Sequence, residues 1–230
     1  MLYENYEKVV ANVKKACERS GRNFQDITII AVSKTKPLSD VEELLSHGVM
    51  EFGENKVQEM VDKYEHVSKP VHWHLIGHLQ TNKVKYIVPF ISLIEAVDSL
   101  KLMKEINRQG EKCGRVIDIL LELHLAQEDT KSGLTLDECR SLLADGEWRQ
   151  MANVRICGLM MMASFTDDEN QIRREMLAAA AFFEEVKAKY FADAEYFNRR
   201  SWGMSDDYEI ALKCNSNTIR VGTRIFGPRQ

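Results

Sequence analysis

Two lysines in the segment AVSKTKP, residues 31–37, give the strongest chemical signal in the sequence. The segment is predicted to end a strand, and Lys34 and Lys36 then share one side of an extended chain, because side chains alternate along a strand. A lysine that is partly desolvated at the mouth of a barrel, or lies near other cations, can form a Schiff base with an aldehyde. Two solvated loop lysines are the alternative, and that is the usual state of a lysine taken singly.

Two glycine-containing segments near the C-terminus predict a phosphate site. The segment SWGMSDD, residues 201–207, is predicted to follow a strand and to lead into a helix that Ser205 caps, and RVGT, residues 220–223, ends the last strand. Glycine lets backbone amides approach an anion, and the hydroxyl groups of Ser205 and Thr223 can donate to it. For each segment alone, a helix cap at Ser205 and a simple turn at Gly222 are the alternatives. A phosphate opposite a reactive lysine indicates a phosphorylated aldehyde as the ligand.

Eight short apolar runs are predicted to be the strands that position these groups. They cover residues 27–33, 49–53, 72–76, 92–97, 116–125, 154–162, 195–200 and 218–222. Segments with helical spacing lie between them, the clearest over residues 172–190. Capping boxes are predicted where Ser39 precedes Glu42 and where Thr135 precedes Glu138. Strands that alternate with helices predict parallel pairing with crossover connections.

This order of elements predicts an α/β fold, a single (β/α)₈ TIM barrel that spans residues 1–230 as one domain. Few residues follow the last strand, so no helix is expected there, and the apolar stripe over residues 2–16 predicts an N-terminal helix that closes the outer ring. An open doubly wound sheet is the alternative, but no GxGxxG or GxxxxGK[ST] segment follows a strand. In such a barrel the functional groups lie at the carboxyl ends of the strands.

Composition and charge exclude several classes of protein. Of the 230 residues 44% are hydrophobic and 29% charged, and the net charge of −4 comes without a block of basic residues that would bind nucleic acid. No apolar run approaches the roughly 18–20 residues that span a bilayer, and the charged N-terminus lacks the apolar region of a secretory signal. Five widely spaced cysteines without a CxxC pair fit reduced thiols. We therefore expect a cytoplasmic protein with no nucleic-acid or membrane partner. Since no long apolar heptad demands a dimer, we expect a monomer.

Seven short motifs follow one another along most of the chain. They are AVSKTKP, FGEN (52–55), HWHLIGHLQTNK (72–83), KSG (131–133), GLM (158–160), GMSDD (203–207) and RVGTRIFG (220–227). In this order they resemble the pyridoxal phosphate homeostasis proteins of the YggS and PROSC type, which are similar to the barrel domain of alanine racemase. The resemblance implies a protein of vitamin B6 homeostasis that carries, buffers or regulates pyridoxal 5′-phosphate (PLP). It implies that Lys34 holds PLP as a Schiff base.

The resemblance also implies roles for the other residues of the site. Ser205, Gly222 and Thr223 would hold the phosphate, Arg220 would lie beside the pyridine nitrogen, and Asn55 would lie near the ring. An arginine at that position discourages protonation of the nitrogen, which weakens the cofactor as an electron sink. Two alternatives stay open, because Asn55 with the glutamine three residues later fits a capping box and Arg220 fits an ion pair at the rim.

Binding rather than turnover is therefore expected, with no catalytic residue assigned. Lys36 is a candidate for transfer of PLP, and apo PLP-dependent enzymes are candidate partners. Two rival functions remain. An amino-acid racemase uses the same lysine with an opposing base from a second domain, and this chain ends soon after its last predicted strand. A metal-dependent hydrolase is the other, since His72, His74 and His78 lie close together, but further ligands from other strands are lacking. No metal is expected, and strand or interface roles are the alternative for these histidines.

Overall fold

A closed barrel of eight parallel strands forms the centre of the computed structural model, which describes residues 1–126 and 132–228. In chain order the strands are β1 (Thr28–Val32), β2 (Glu51–Glu54), β3 (His72–Leu75), β4 (Leu93–Val97), β5 (Ile117–Leu123), β6 (Val154–Met161), β7 (Arg199–Met204) and β8 (Thr218–Val221). Each strand pairs with the next, and β8 pairs with β1, where Ile29 lies opposite Ile219. The predicted barrel is confirmed.

Helices form the layer outside the barrel. They are α1 (Leu2–Arg19), α2 (Leu38–Ser46), α3 (Val57–His66), α4 (Val84–Ile87), α5 (Leu100–Cys113), α6 (Leu136–Asp145), α7 (Glu169–Tyr190), α8 (Tyr208–Lys213) and α9 (Thr223–Phe226). The stripe predicted over residues 172–190 is the buried face of α7. Of the helices within residues 1–126 and 132–228, none has the length and apolar character to cross a bilayer.

The N-terminal helix closes the outer ring, as predicted. Val9, Val13 and Ala16 of α1 are buried, and the helix packs against α2, α8 and α9. The single turn α9 directly after β8 was not predicted, because a four-residue segment carries no helical period. Together with α1, this turn closes the outer ring of helices.

The seventh strand begins four residues later than the prediction of 195–200. The apolar segment before it turns back instead, since Phe197 stacks on Phe191 and on Phe183 with ring centroids 4.2 and 4.8 Å apart. β7 contains polar Ser201 because that side chain faces other polar groups inside the barrel, while Trp202 is fully buried. Because β7 contains both polar and apolar buried residues, it lacks the apolar pattern from which a strand is predicted.

One of the predicted capping boxes forms and one does not. The hydroxyl of Thr135 accepts a bond from the Glu138 amide (3.2 Å), and the Glu138 carboxylate accepts from the Thr135 amide (2.8 Å). The prediction at Ser39 is wrong, because α2 begins after Pro37 without a side-chain cap. The carboxylate of Glu42 accepts bonds from the Ser68 amide and hydroxyl instead.

Candidate functional site

One cavity at the carboxyl ends of the strands brings together the residues that the sequence predicts as the site. It has a volume of about 290 Å³. Its lining includes the six predicted ligand-binding residues and the predicted transfer lysine: Lys34, Lys36, Asn55, Ser205, Arg220, Gly222 and Thr223. This is the end of the barrel at which functional groups are found in the fold.

Lys34 lies in a turn, which corrects the prediction of an extended segment. The amide of Lys36 donates to the carbonyl oxygen of Ser33 (3.0 Å), and Thr35 has φ +63°. A β-branched residue rarely adopts that left-handed conformation, so its surroundings must hold it there. Lys36 Nζ donates to the carbonyl oxygen of Pro228 (3.0 Å). Both lysines line the cavity although they do not share the side of a strand.

A buried lysine holds this turn from the adjacent helix. Lys63, on α3, is 3% exposed and donates to the Ser33 carbonyl (2.8 Å), to Glu54 Oε1 (2.7 Å) and to Glu59 Oε1 (2.8 Å). The hydroxyl of Ser33 also donates to Glu54, and the amide of Thr35 donates to Glu59, both at 2.6 Å. Sequence reasoning missed this cluster of Lys63, Glu54 and Glu59. Its one signal is the four-residue spacing of Glu59 and Lys63, which is common on solvated helices.

Glu54 depends on that lysine for its charge. It is fully buried, and its Oε2 has no hydrogen-bond partner among the residues that the structure describes. Burial raises the pKa of Glu54, while the charge and hydrogen bond of Lys63 and the bond from Ser33 act in the opposite direction. Removal of Lys63 would leave a buried carboxylate without its counter-ion.

The loops after β7 and β8 meet at Ser205 and Gly222. The amide of Gly222 donates to Ser205 Oγ (3.0 Å), and Arg224 Nε donates to the carbonyl oxygen of Ser205 (3.2 Å). Thr223 follows at the start of α9, and Ser205, Gly222 and Thr223 together form a cup of hydroxyl and amide groups in the wall of the cavity. The predicted helix cap at Ser205 is wrong, because α8 begins after Asp207 without a side-chain cap and the hydroxyl contacts the neighbouring loop.

Two acidic residues lie next to this cup, and a neighbouring group interacts with each carboxylate. Asp206 lines the cavity, and its Oδ1 lies 3.7 Å from the Arg224 guanidinium. Asp207 accepts a bond from the amide of Met204, and burial raises the pKa of Asp207. Arg224 was not predicted as a site residue, although it belongs to the RVGTRIFG motif.

Arg220 lies inside the barrel and reaches the floor of the cavity. It is 3% exposed, and three of its five N–H groups are bonded, two to the carbonyl and hydroxyl of Ser201 and one to the carbonyl of Met161. Burial lowers the pKa of Arg220, and nearby carboxylates, chiefly Glu95 at 3.6 Å, act against that shift. The rim ion pair considered from the sequence is thus replaced by a partner inside the barrel.

Asn55 follows β2 directly and lines the cavity. The alternative of a capping box is wrong, because α3 begins after Lys56 and has no side-chain cap. A Cβ atom at Gly77 would lie 2.7 Å from the Asn55 carbonyl oxygen and 2.8 Å from its Cγ. The glycine of the HLIGH segment therefore lets the loop after β3 pack against Asn55.

The three histidines of the rival metal site bind carboxylates. His74 Nδ1 lies 2.9 Å from Glu95 and Nε2 lies 2.7 Å from Glu51, so both ring nitrogens are engaged. His72 contacts Glu51 (2.8 Å), and His78 pairs with a neighbouring aspartate. Within residues 1–126 and 132–228, no three His, Cys, Asp or Glu side chains are arranged to hold a metal ion. Of the KSG motif, the lysine at 131 lies outside the described residues.

Comparisons with known proteins agree with this architecture. Residues 5–230 match the family model of the alanine racemase N-terminal domain. The chain is 32% identical over 229 residues to the pyridoxal phosphate homeostasis protein of Aquifex aeolicus (strain VF5), covering 99% of this chain and 98% of that protein. It is 33% identical over 235 residues to the protein of the same name from Escherichia coli (strain K12), covering 99% and 97%. PipY of Synechococcus elongatus PCC7942, solved with PLP bound, is similar with a TM-score of 0.84 and 27% identity, covering 99% of this chain and 100% of that one.

Proposed function

This chain belongs to the pyridoxal phosphate homeostasis proteins of the alanine racemase N-terminal domain family, and on that premise we propose that it binds PLP in vitamin B6 homeostasis. Lys34 would hold the cofactor through its aldehyde as a Schiff base, with loss of water, and the barrel would act as one PLP-binding domain over residues 1–230. Its role is to carry, buffer or regulate PLP rather than to turn over a substrate.

One observation carries this proposal. A lysine on a turn held by buried ion pairs shares a cavity of about 290 Å³ with a cup of hydroxyl and amide donors. Ser205, Gly222 and Thr223 fit the phosphate, because such donors stabilise an anion. The charge of Asp206 is offset by Arg224, which lowers the repulsion that this carboxylate would exert on the phosphate.

The ring end of the cavity favours binding over turnover. When bound, PLP supplies an aldehyde and a ring that can accept electrons. Arg220 has donors alone and keeps its proton in proteins, so it would give the ring nitrogen a hydrogen bond without protonating it. An unprotonated ring is a weak electron sink, and Asn55, which would lie near the ring, has no ionisable group.

Transfer to apo PLP-dependent enzymes is the proposed route out of the site. Lys36 lines the same cavity and offers a second amine to the aldehyde. Phe165, 95% exposed, and Met204, 38% exposed, also line the cavity, and exposed apolar side chains at its mouth suit contact with an acceptor protein. The proposed compartment is the cytoplasm, where the five free cysteines remain reduced.

Borohydride trapping tests the proposal. We expect a yellow protein whose visible absorption band is abolished by borohydride, with the mass of reduced PLP on the peptide that contains Lys34. A protein that stays colourless and unlabelled with added PLP would overturn the function. A label on Lys36 instead would overturn the assignment of Lys34 alone.

A further inference from the structure

A chain of hydrogen-bonded side chains crosses the barrel beneath Arg220. Ser201 Oγ accepts a bond from Arg220 and donates to Glu95 Oε2 (2.5 Å). His74 Nδ1 lies 2.9 Å from Glu95 Oε1, and His74 Nε2 lies 2.7 Å from Glu51 Oε2. Glu51 and His74 line a second cavity, which differs entirely in its lining from the first. This series of hydrogen-bonded side chains thus links the proposed cofactor cavity to another surface of the barrel.

These bonds pass through the interior of the barrel. Glu95 lies on β4 and Ser201 on β7, and these strands are not neighbours in the barrel, so the bond between them spans the interior. Ser201 and Glu95 are fully buried and His74 is 4% exposed. Apolar side chains of similar size often fill such a space without the cost of desolvating charges. We therefore expect these buried polar side chains to have a role other than packing.

Charges alternate in sign along this series of hydrogen-bonded side chains. His74 needs both ring protons to serve two carboxylates, because the neutral imidazole has a single N–H. Burial alone would lower the pKa of His74, but the hydrogen bonds and charges of Glu51 and Glu95 raise it to about 9. Burial would likewise raise the pKa of Glu95, but His74, Arg220 and Ser201 together hold it below its usual value. An ionised Glu95 thus lies between two cations.

We propose that Ser201, Glu95 and His74 are positioning residues that hold the guanidinium of Arg220 at the pyridine nitrogen of PLP, a role that rests on the proposed function. The Ser201 hydroxyl stands between Glu95 and Arg220 and keeps the carboxylate 3.6 Å from the guanidinium. His74 satisfies the other oxygen of that carboxylate. Without either donor, Glu95 draws the guanidinium closer than the present 3.6 Å and away from the ring.

Two other carboxylates face Arg220 and differ from Glu95. They are Glu122 on β5 and Asp207 before α8, and burial raises the pKa of both. Glu122 accepts bonds from Ser132, and Asp207 accepts a bond from a backbone amide. Among residues 1–126 and 132–228, neither carboxylate has an ion pair like that of Glu95 with His74, and Glu95 acts more strongly on Arg220 than Asp207 or Glu122 does.

Ser201→Ala and His74→Gln test the proposal against the matched control Ser216→Ala. Ser216 is also fully buried, and its hydroxyl bonds backbone groups of β7 and β8. The dissociation constants of PLP and of inorganic phosphate are measured for each variant, with the visible spectrum of bound PLP as a function of pH. We expect Ser201→Ala and His74→Gln to bind PLP about tenfold more weakly, with unchanged affinity for phosphate. We expect the pH midpoint of the visible band to shift in both variants. Ser216→Ala should change neither the PLP affinity nor this midpoint.

Other results would overturn the role. Equal weakening of PLP and phosphate would show a general structural effect, and an unchanged PLP affinity and spectrum would show that Arg220 needs no such support. A wild-type protein that binds no PLP would instead overturn the proposed function and this role with it. Nitrogen-15 NMR of the wild-type histidines gives a test that needs no variant, since His74 should carry protons on both ring nitrogens at neutral pH. A neutral ring there would contradict the proposal.

Discussion

Lys63 Nζ donates a hydrogen bond to the carbonyl oxygen of Ser33, 2.8 Å away and directly before the proposed cofactor lysine. The same ammonium group binds Glu54 and Glu59, so all three of its N–H groups are used. The turn that presents Lys34 is therefore fixed by a side chain from another element.

Lys63→Met should lower the free energy of unfolding by about 3 kcal/mol, because loss of one partner of a buried ion pair leaves a buried charge. Urea denaturation measures the change. Lys104→Met is the control, since Lys104 pairs with Glu147 while the two side chains are 54% and 44% exposed, and a surface pair contributes less than about 1 kcal/mol. Equal losses in the two variants would contradict the clamping role.

Ser205→Ala and Thr223→Ala should each weaken PLP binding by roughly ten- to hundredfold, because each removes a hydrogen bond to a charged group. Equilibrium titration with PLP measures the effect, and Ser92→Ala, which lines the second cavity, is the control. If the double variant bound PLP like the wild type, the phosphate would have to lie elsewhere.

The stability of the protein should depend on pH through Glu51 and His74. Hydrogen bonds from His74 and His72 outweigh burial and lower the pKa of Glu51 from 4.5 to about 2, so this contribution is lost as the pH falls from 4.5 toward 2. The pKa of His74 is raised from 6.5 to about 9, so its contribution is complete below pH 6.5 and is lost as the pH rises toward 9.

We therefore expect the stability difference between wild type and His74→Gln to be largest between these two windows and to shrink above pH 6.5. Urea denaturation at a series of pH values measures it, with His72→Gln as the control because its side chain is 56% exposed. A difference that stays constant up to pH 9 would mean that His74 is not held as the cation.

Lys36→Ala should keep the borohydride label on Lys34 but slow the delivery of PLP to an apo-enzyme. The reason is that Lys36 is the second amine in the cavity and is tied to the C-terminal segment through Pro228. Recovery of activity by a separate apo PLP-dependent enzyme measures the transfer rate. An unchanged rate would remove Lys36 from the proposed route.

The PLP-loaded protein should exchange the α-proton of amino acids slowly. An opposing base typically contributes 10² to 10⁴-fold to such exchange, and Arg220 in its proposed place would leave the ring a weak electron sink. Incubation with L-alanine in deuterated water, followed by mass spectrometry, measures the rate. Exchange at about 1 s⁻¹ or faster, which is typical of enzymes, would favour the racemase alternative.

The sequence predicted the barrel because its elements have local periods. Strands of alternating or continuous apolar residues and helices with a stripe such as that over residues 172–190 can be recognised one at a time. The prediction failed at β7, where Ser201 faces polar groups and Phe197, before the strand, stacks on Phe183. It also failed at the turn of Lys34, since nothing local reveals the left-handed Thr35.

The sequence by itself determined the barrel and seven of the residues that line the proposed site, from Lys34 to Thr223, because every strand of a parallel barrel ends at the same rim. Only the tertiary structure decided what holds those residues in place. Lys63 and Ser33 are 30 positions apart, and Ser201 and Glu95 are 106 apart. Such bonds depend on distances across the closed barrel and on burial that excludes water, and neither property is encoded in the spacing of residues along the chain.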